Sequence, residues 1–260
     1  MKLLARTQML SQYSPVAALD VAHRLGFDGV EICLERQDWS LHDLQGFPVS
    51  ALRARLVSLN MHTCSFSLHQ DYVNDDAMLA LTLEAIHVAP ELGADVFVFN
   101  GARRSGDPDE WARTIQRTRL LVEAAEACGV TLANEFEPGF VIGSTMELLR
   151  LFKALPSPNL GANLDLGHAF ICDPDPLESI RQLGSKIVHC HVENMPRGVH
   201  DHLLPQEGDL DLKTCLEVLA QVGFEGGLAL DLYKYDYEAV APEALQYLHS
   251  ILPDQSLPLF

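Results

Sequence analysis

The sequence has 260 residues, a formal net charge of −18 and a hydrophobic content of 48%. This length and apolar fraction suit one α/β barrel with a large core. The acidic charge would repel phosphate backbones, which argues against nucleic acid as the main partner.

The composition also bears on location and on cysteine chemistry. No run of roughly 18 apolar residues occurs, so no membrane-spanning segment is predicted. The N-terminal stretch is MKLLARTQMLSQYS. Its apolar patch is too short and too polar for a secretory signal. The six cysteines stand singly without a CxxC pair, which argues against a disulfide framework and a thiolate zinc site. We therefore expect a cytoplasmic protein.

One junction recurs along the chain: an amphipathic helical segment, a glycine and a short β-rich run. The glycines are Gly26, Gly93, Gly129 and Gly223, and glycine just beyond a helix end is the usual left-handed cap. Strands are predicted at roughly 2–8, 28–34, 60–66, 94–100, 130–135, 160–165, 186–193 and 226–233. Helices are predicted at roughly 14–25, 48–59, 76–92, 108–128, 144–154, 174–183, 211–222 and 238–251.

Eight βα units in about 250 residues predict a (β/α)8 TIM barrel, formed as a single domain over residues 1–260. A doubly wound open sheet is the alternative. It is disfavoured because no GxGxxG follows the first predicted strand.

The last four predicted strands carry polar side chains at or near their ends. Glu135, Asp165 and Asp231 end strands five, six and eight, and His191 lies on strand seven. In a TIM barrel these ends meet at the catalytic face. A single strand-end acid can also be a helix cap, but three carboxylates and a histidine together favour Mn, Mg or Co, with Zn as the other candidate. Glu137 shares the parity of Glu135 and is the alternative ligand.

The sequence resembles the xylose isomerase-like TIM-barrel superfamily, which contains sugar isomerases and epimerases, inosose dehydratases and abasic-site endonucleases. The resemblance rests on LGANLDLGHAF, IVHCHVENMPRG, HDHLLPQEGDLDL and GLALDLY. It implies metal ligands at Glu135, Asp165, His191 and Asp231, and proton transfer by Glu135 and Asp231.

Further roles follow from the same resemblance. His168, His62 and Arg197 are the candidate substrate-binding residues. His168, His200 and His202 are candidate ligands of an additional metal, because HDH resembles the zinc-binding D-x-H pair of the nuclease branch.

Three departures from the family pattern bear on function. Asp231 stands where family isomerases mostly have Glu, and Asn194 replaces an acid after strand seven. Asn100 stands where the nuclease branch has a histidine. His69 is interpreted as a loop residue, with a substrate contact as the alternative, and His189 as a core histidine beneath His191.

The sequence thus predicts a metal-dependent isomerase or epimerase of a small carbohydrate-like substrate, acting by proton abstraction next to a carbonyl through an enediolate. The alternatives are a dehydratase of an inosose-type substrate, a zinc-dependent phosphodiesterase and a non-catalytic metal- or ligand-binding barrel. Neither a membrane nor nucleic acid is an expected partner, and homo-oligomerisation stays open.

Overall fold

Eight parallel strands close into a barrel in the order of the chain, as predicted. The structure is a computed structural model that describes residues 1–61 and 63–253. The strands are β1 Lys2–Arg6, β2 Gly29–Cys33, β3 Thr63–Leu68, β4 Val96–Phe99, β5 Thr131–Glu135, β6 Leu160–Asp165, β7 Ile187–Val192 and β8 Gly227–Leu230. The helices are α1 Pro15–Leu25, α2 Val49–Ser58, α3 Asp76–Leu92, α4 Glu110–Cys128, α5 Thr145–Ala154, α6 Leu166–Cys172, α7 Pro176–Leu183, α8 Leu212–Gln221 and α9 Tyr237–Ile251.

The glycine junctions behave as the sequence indicates. Gly26, Gly93, Gly129 and Gly223 have φ between 72° and 94°, in a left-handed region that is costly for other residues. They end or follow helices that pack against the next strand. This repetition sets up the parallel βα connections.

The sixth unit contains one helix more than predicted. Helix α6 begins directly after β6, because the Asp165 side chain accepts a hydrogen bond from His168 N at 2.7 Å. At seven residues it is too short to show a clear helical period in the sequence. It places His168 one turn above the barrel end.

Several predicted strand ends are shifted, and two of these shifts affect the site. Strand β3 runs to Leu68 rather than to residue 66, which brings His69 to the top of the barrel. Strand β8 ends at Leu230, so Asp231 is the first residue after it. The predicted parity holds: Leu132, Leu164 and Leu230 are buried in the apolar layer between strands and helices.

The barrel interior is unusually polar below its open end. TIM barrels mostly fill this space with Val, Ile and Leu, whereas here His189 meets Asn163 Oδ1 at 2.8 Å and Ser65 Oγ at 3.0 Å. Burial lowers the pKa of His189 to about 4, so its imidazole is neutral at pH 7. His189 thus forms part of a hydrogen-bonded floor beneath His191, as expected.

Across residues 1–61 and 63–253, no helix is long and apolar enough to cross a membrane.

Strand β6 tolerates no side chain at Gly161. A Cβ there would lie 2.7 Å from the Lys186 carbonyl oxygen and 2.9 Å from a Val188 methyl. We expect Gly161→Ala to lower the free energy of unfolding by about 1–3 kcal/mol, measured by urea denaturation. Gly46→Ala is the control, because its nearest neighbour would be at 3.6 Å; equal losses for the two variants would contradict this packing.

Candidate active site

Three of the predicted ligands converge at the carboxyl ends of adjacent strands. Glu135 ends β5, Asp165 ends β6 and His191 lies near the end of β7. The register pairs Asp165 with His191 and Glu135 with Asn163. One donor atom from each of the three residues lies within 4.8 Å of the others, and all three side chains are buried. The cluster therefore follows directly from strand order and parity.

Asp231 reaches the same place from β8 with one oxygen. Its Oδ1 accepts from Arg6 Nη1 at 2.5 Å, while Oδ2 lies 3.9 Å from His191 Nδ1 and 3.6 Å from His202 Nδ1. Burial opposes ionisation of Asp231, but Arg6 and the two histidines lower its pKa below the usual value. Asp231 is therefore a carboxylate with one oxygen facing the predicted ligands.

The charge balance of this region favours a bound cation. Among the described residues, Arg6 is the one buried residue with a permanent positive charge, and six carboxyl side chains are buried. A divalent ion neutralises carboxylates that would otherwise repel one another. The six are Glu31, Glu35, Glu135, Asp165, Glu193 and Asp231.

Two donor atoms in the cluster fit a metal ion particularly well. Asp165 Oδ2 and His191 Nδ1 are buried, lack a hydrogen-bond partner among the described residues, and lie 4.0 Å apart. Buried donor atoms of this kind would be satisfied by a shared divalent ion. Glu31 Oε2 lies 3.0 Å from His191 Nε2, so it can accept the Nε2 proton and leave Nδ1 available for the ion.

Glu135 is the most heavily contacted acid in the cluster. Its Oε2 accepts from Asn163 Nδ2 at 2.6 Å and lies 3.1 Å from both His191 Nδ1 and His69 Nε2. Burial alone would raise the pKa of Glu135, but His191 and His69 lower it well below its usual range. Glu135 is therefore ionised at neutral pH while it lines the cavity.

His69 belongs to the site, although the sequence interpretation left it in a loop. Its Nδ1 lies 2.6 Å from Glu35 and its Nε2 lies 3.1 Å from Glu135. Burial disfavours the charged ring, yet the two carboxylates raise the pKa of His69 to about 10. It is thus an imidazolium that donates to both acids. The extension of β3 by two residues brings it there.

Arg6 and Glu193 are site residues that the sequence analysis did not assign, and Glu31, which the sequence places as a possible barrel-lining or structural residue, also belongs to the site. Arg6 Nε donates to Glu31 Oε1 at 2.8 Å, and Glu193 Oε1 accepts from Gly167 N at 2.9 Å. Burial, with Asp165 and Asp231 nearby, raises the pKa of Glu193 well above its usual value. Strand parity would have marked Arg6, which ends β1, whereas Glu31 lies in the middle of β2.

A second group of donors is formed by three histidines beside the first cluster. His168 Nε2 lies 3.0 Å from His200 Nε2, which lies 3.2 Å from His202 Nε2. His168 Nδ1 and His202 Nδ1 each lie 3.1 Å from a backbone carbonyl oxygen, of Phe136 and Asp231 respectively. Donation to these carbonyls leaves a lone pair on both Nε2 atoms. Burial, with His168 and His202 nearby, lowers the pKa of His200 to about 4. Burial opposes a charge on His168, but Asp165 and Glu135 raise its pKa, so a metal ion would have to displace a proton there.

The remaining predicted residues lie apart from these clusters or at their edge. Arg197 stacks over Phe170 at 4.6 Å and does not line the cavity above the metal cluster. Glu137 does line this cavity and accepts from Asn100 Nδ2 at 2.8 Å. Burial raises the pKa of Glu137. His62 lies outside the described residues.

The sequence model of a protein family, described as the xylose isomerase-like TIM barrel, matches residues 19–251 of the chain. The chain belongs to this family.

Several xylose isomerase-like proteins resemble the chain over nearly its whole length. Fructoselysine 3-epimerase of Escherichia coli O157:H7 is 22% identical over 253 residues, which is 90% of this chain and 92% of the relative. The crystal structure of a D-tagatose 3-epimerase-like protein superposes with a TM-score of 0.82 at 22% identity, covering 97% and 98% of the two chains. The IOLI protein with a bound zinc atom gives 0.77 at 20% identity and 96% coverage of both chains.

The loop after β7 is organised by Asn194. Its Nδ2 donates to the carbonyl oxygens of Pro205 and Leu210, and its Oδ1 accepts from Met195 N and Leu210 N. A Cβ on Gly208 would lie 2.0 Å from this Oδ1. Asn194 therefore fixes the loop that carries His200 and His202.

Removal of one charge from the cluster should weaken metal binding. We expect Glu135→Gln to raise the dissociation constant for Mn²⁺ at least about 100-fold, because even outer-shell changes cost about 10–100-fold. Calorimetric titration of metal-stripped protein measures this constant.

Two further substitutions serve as the control and as the test of the alternative ligand in this Mn²⁺ titration. Glu123→Gln changes an exposed glutamate on α4 and should leave the dissociation constant unchanged. Glu137→Gln tests the alternative ligand: a loss at Glu137 with none at Glu135 would reassign the ligand to Glu137.

Proposed function

We propose that this protein is a metal-dependent sugar epimerase or isomerase that removes a proton from a carbon next to a carbonyl. The observation that carries the proposal is the ionised Glu135, which lines the cavity beside Asp165 and His191. The name of the fructoselysine relative, a 3-epimerase, supports the same reaction class. So does that of the D-tagatose 3-epimerase-like protein.

Glu135, Asp165, His191 and the free oxygen of Asp231 would hold the metal ion. Mn, Mg and Co suit this mixed oxygen and nitrogen set, and Zn is the further candidate; the zinc bound to the IOLI protein supports that option. When bound, a divalent ion would polarise the substrate carbonyl and hydroxyl oxygens and acidify the neighbouring C–H.

The side chains around Glu135 suit it for proton removal. Its carboxylate faces the cavity, and a base next to a polarised carbonyl yields an enediolate. Burial opposes a charge on His168, but Asp165 and Glu135 raise its pKa, so a protonated Nε2 can donate to a substrate oxygen in the same cavity. His69, charged and 3.1 Å from Glu135, would balance the negative charge that develops.

The fate of the proton decides which product forms. Return of the proton to the opposite face of the same carbon gives an epimer, and its transfer to the adjacent carbon gives an isomer. If the enediolate instead expels hydroxide, the product is a dehydrated compound. Asp231 is the candidate for the second face, since its Oδ2 is free while Oδ1 is bound by Arg6. Its shorter side chain and this anchoring restrict its reach, so epimerisation would require the substrate carbon to lie close to β8.

Exchange of a carbon-bound hydrogen tests the proposal directly. With metal-loaded protein in D₂O, we expect NMR to show deuterium entering a ketose next to its carbonyl, with an epimer or isomer accumulating. Glu135→Gln should lower this rate by about 10²–10⁴-fold, the usual contribution of a general base. Glu123→Gln, exposed on α4, is the matched control.

Each outcome of the exchange experiment has a distinct meaning. Exchange with loss of water would identify a dehydratase. Unchanged turnover in Glu135→Gln would contradict the assignment of the base. Tight ligand binding without exchange at any carbon would support the non-catalytic barrel.

Zinc-dependent phosphodiester hydrolysis is a second candidate, favoured by the three histidine nitrogens of His168, His200 and His202. Such a site can activate water for attack on a phosphodiester. Against it stand Asn100, at the position of a nuclease histidine, and the net charge of −18.

The second candidate predicts a specific zinc stoichiometry. If the three histidines hold zinc, metal-stripped protein should bind two Zn²⁺ per chain, and His200→Asn should bind one. Hydrolysis of bis-p-nitrophenyl phosphate that disappears in His200→Asn would support the hydrolase. Binding of two zinc ions without hydrolysis would support a second metal site but exclude the hydrolase activity.

A further inference from the structure

Trp39 occupies a position that costs free energy without serving the core. It lies in the loop after β2, its side chain is 52% exposed, and its φ is +64°. A bulky residue rarely adopts this left-handed conformation. Among the described non-glycine residues, Asn60 alone shares it, and asparagine tolerates it well. An exposed, strained indole is therefore a candidate for ligand contact.

The surrounding contacts hold Trp39 in one place. Its ring stacks on Tyr233 with centroids 5.7 Å apart and planes at 20°. Trp39 N donates to Arg36 O at 2.8 Å, and Gln37 Nε2 donates to Tyr233 O at 3.2 Å. Tyr233 OH in turn accepts from Arg6 Nη1 at 3.0 Å. The two rings form a fixed aromatic rim on the site.

The cavity beneath this rim has two lobes. An inner lobe of about 240 Å³ lies over Glu135 and Asp231, and an outer lobe of about 520 Å³ extends past Phe140. Small-molecule sites commonly measure about 300–1,000 Å³, so the inner lobe suits one small sugar and the two together suit a larger ligand. The two lobes share Trp39, His69, Asn100, Arg103 and Glu137.

The outer lobe has the chemistry of a carbohydrate site. Trp39 offers an exposed aromatic face, Phe140 a mostly buried ring with Arg103 over it, and Gln70 a planar amide. The Asp71 carboxylate also lines the lobe but already accepts from Val73 N and Asn74 N in its own loop. A sugar ring has apolar C–H faces that pack on aromatic rings and a rim of hydroxyls that needs such partners. Asn100 Oδ1 is buried and lacks a hydrogen-bond partner among the residues described. It is an acceptor available to a ligand hydroxyl.

The charges of the outer lobe do not select an anion. Arg103 lines it, but the carboxyl groups of Asp71 and Glu137 line it as well. Arg103 also stacks over Phe140 at 5.0 Å, where its guanidinium plane can donate to hydroxyls. A neutral polyhydroxylated group fits this mixture better than a phosphate or a carboxylate.

We propose that the outer lobe binds a second sugar unit, so that the substrate is a ketose joined to a glycosyl group. The ketose lies in the inner lobe. The glycosyl unit packs between Trp39 and Phe140, and one of its hydroxyls donates a hydrogen bond to Asn100 Oδ1. This assignment rests on the proposed function for the reaction of the ketose unit. The binding of the glycosyl unit is independent of that reaction.

The chain provides its own fluorescent reporter for this test. It has two tryptophans, Trp39 and Trp111, and Trp111 lies on α4, where it stacks with Arg150. Trp111→Phe leaves Trp39 as the single indole. The variant, loaded with Mg²⁺, is titrated with isomaltulose, a glucosyl-fructose, and separately with fructose.

We expect a saturable change in Trp39 emission, with a dissociation constant at least about tenfold lower for isomaltulose than for fructose. In the same background, Asn100→Ala and Phe140→Leu should each reduce this preference by about threefold or more. Met146→Ala, exposed on α5, is the control and should leave it unchanged. Equal constants for the two sugars, or no response from Trp39, would overturn the proposal.

The binding titration and the deuterium exchange can fail separately. Deuterium exchange in a free ketose, together with equal dissociation constants for isomaltulose and fructose, would refute the glycosyl site but support the epimerase. A clear preference for isomaltulose without exchange in any ketose would refute the epimerase and leave the glycosyl site.

Discussion

The buried carboxylates at the open end of the barrel are the constraint on which the site depends. Six such groups share one permanent cation, Arg6, which bonds to Glu31 and Asp231. An ion pair at this depth is costly to desolvate and gains its value from complete hydrogen bonding. Arg6 alone cannot neutralise the group, so protonated histidines, a protonated Glu193 or a metal ion must supply the rest.

The barrel makes this arrangement possible because parallel strands end at one face. The register between neighbouring strands places Asp165 beside His191 and Glu135 beside Asn163. The floor below is hydrogen-bonded rather than apolar, and Glu31 fixes the orientation of His191. A fixed ring orientation would suit the proposed metal site, in which His191 Nδ1 faces the ion.

Substrate selection depends on a different part of the molecule. The loops after β2 and β8 supply Trp39 and Tyr233, and Arg6 connects this aromatic rim to Asp231 through its guanidinium. The same arginine therefore touches both the candidate metal site and the rim.

The sequence by itself determined the barrel and its main polar cluster, because strand parity and strand order are local properties read from residue spacing. Glu135, Asp165 and His191 lie at strand ends that a period of two identifies. Contacts between distant segments were decided only by the tertiary structure. His69 entered the site because β3 runs two residues further than expected, and Arg6 meets Asp231 because the first and last strands pair to close the barrel. Strand parity marks Arg6 at the end of β1, but the carboxylate that it meets depends on the register between the first and last strands, which local patterns do not show.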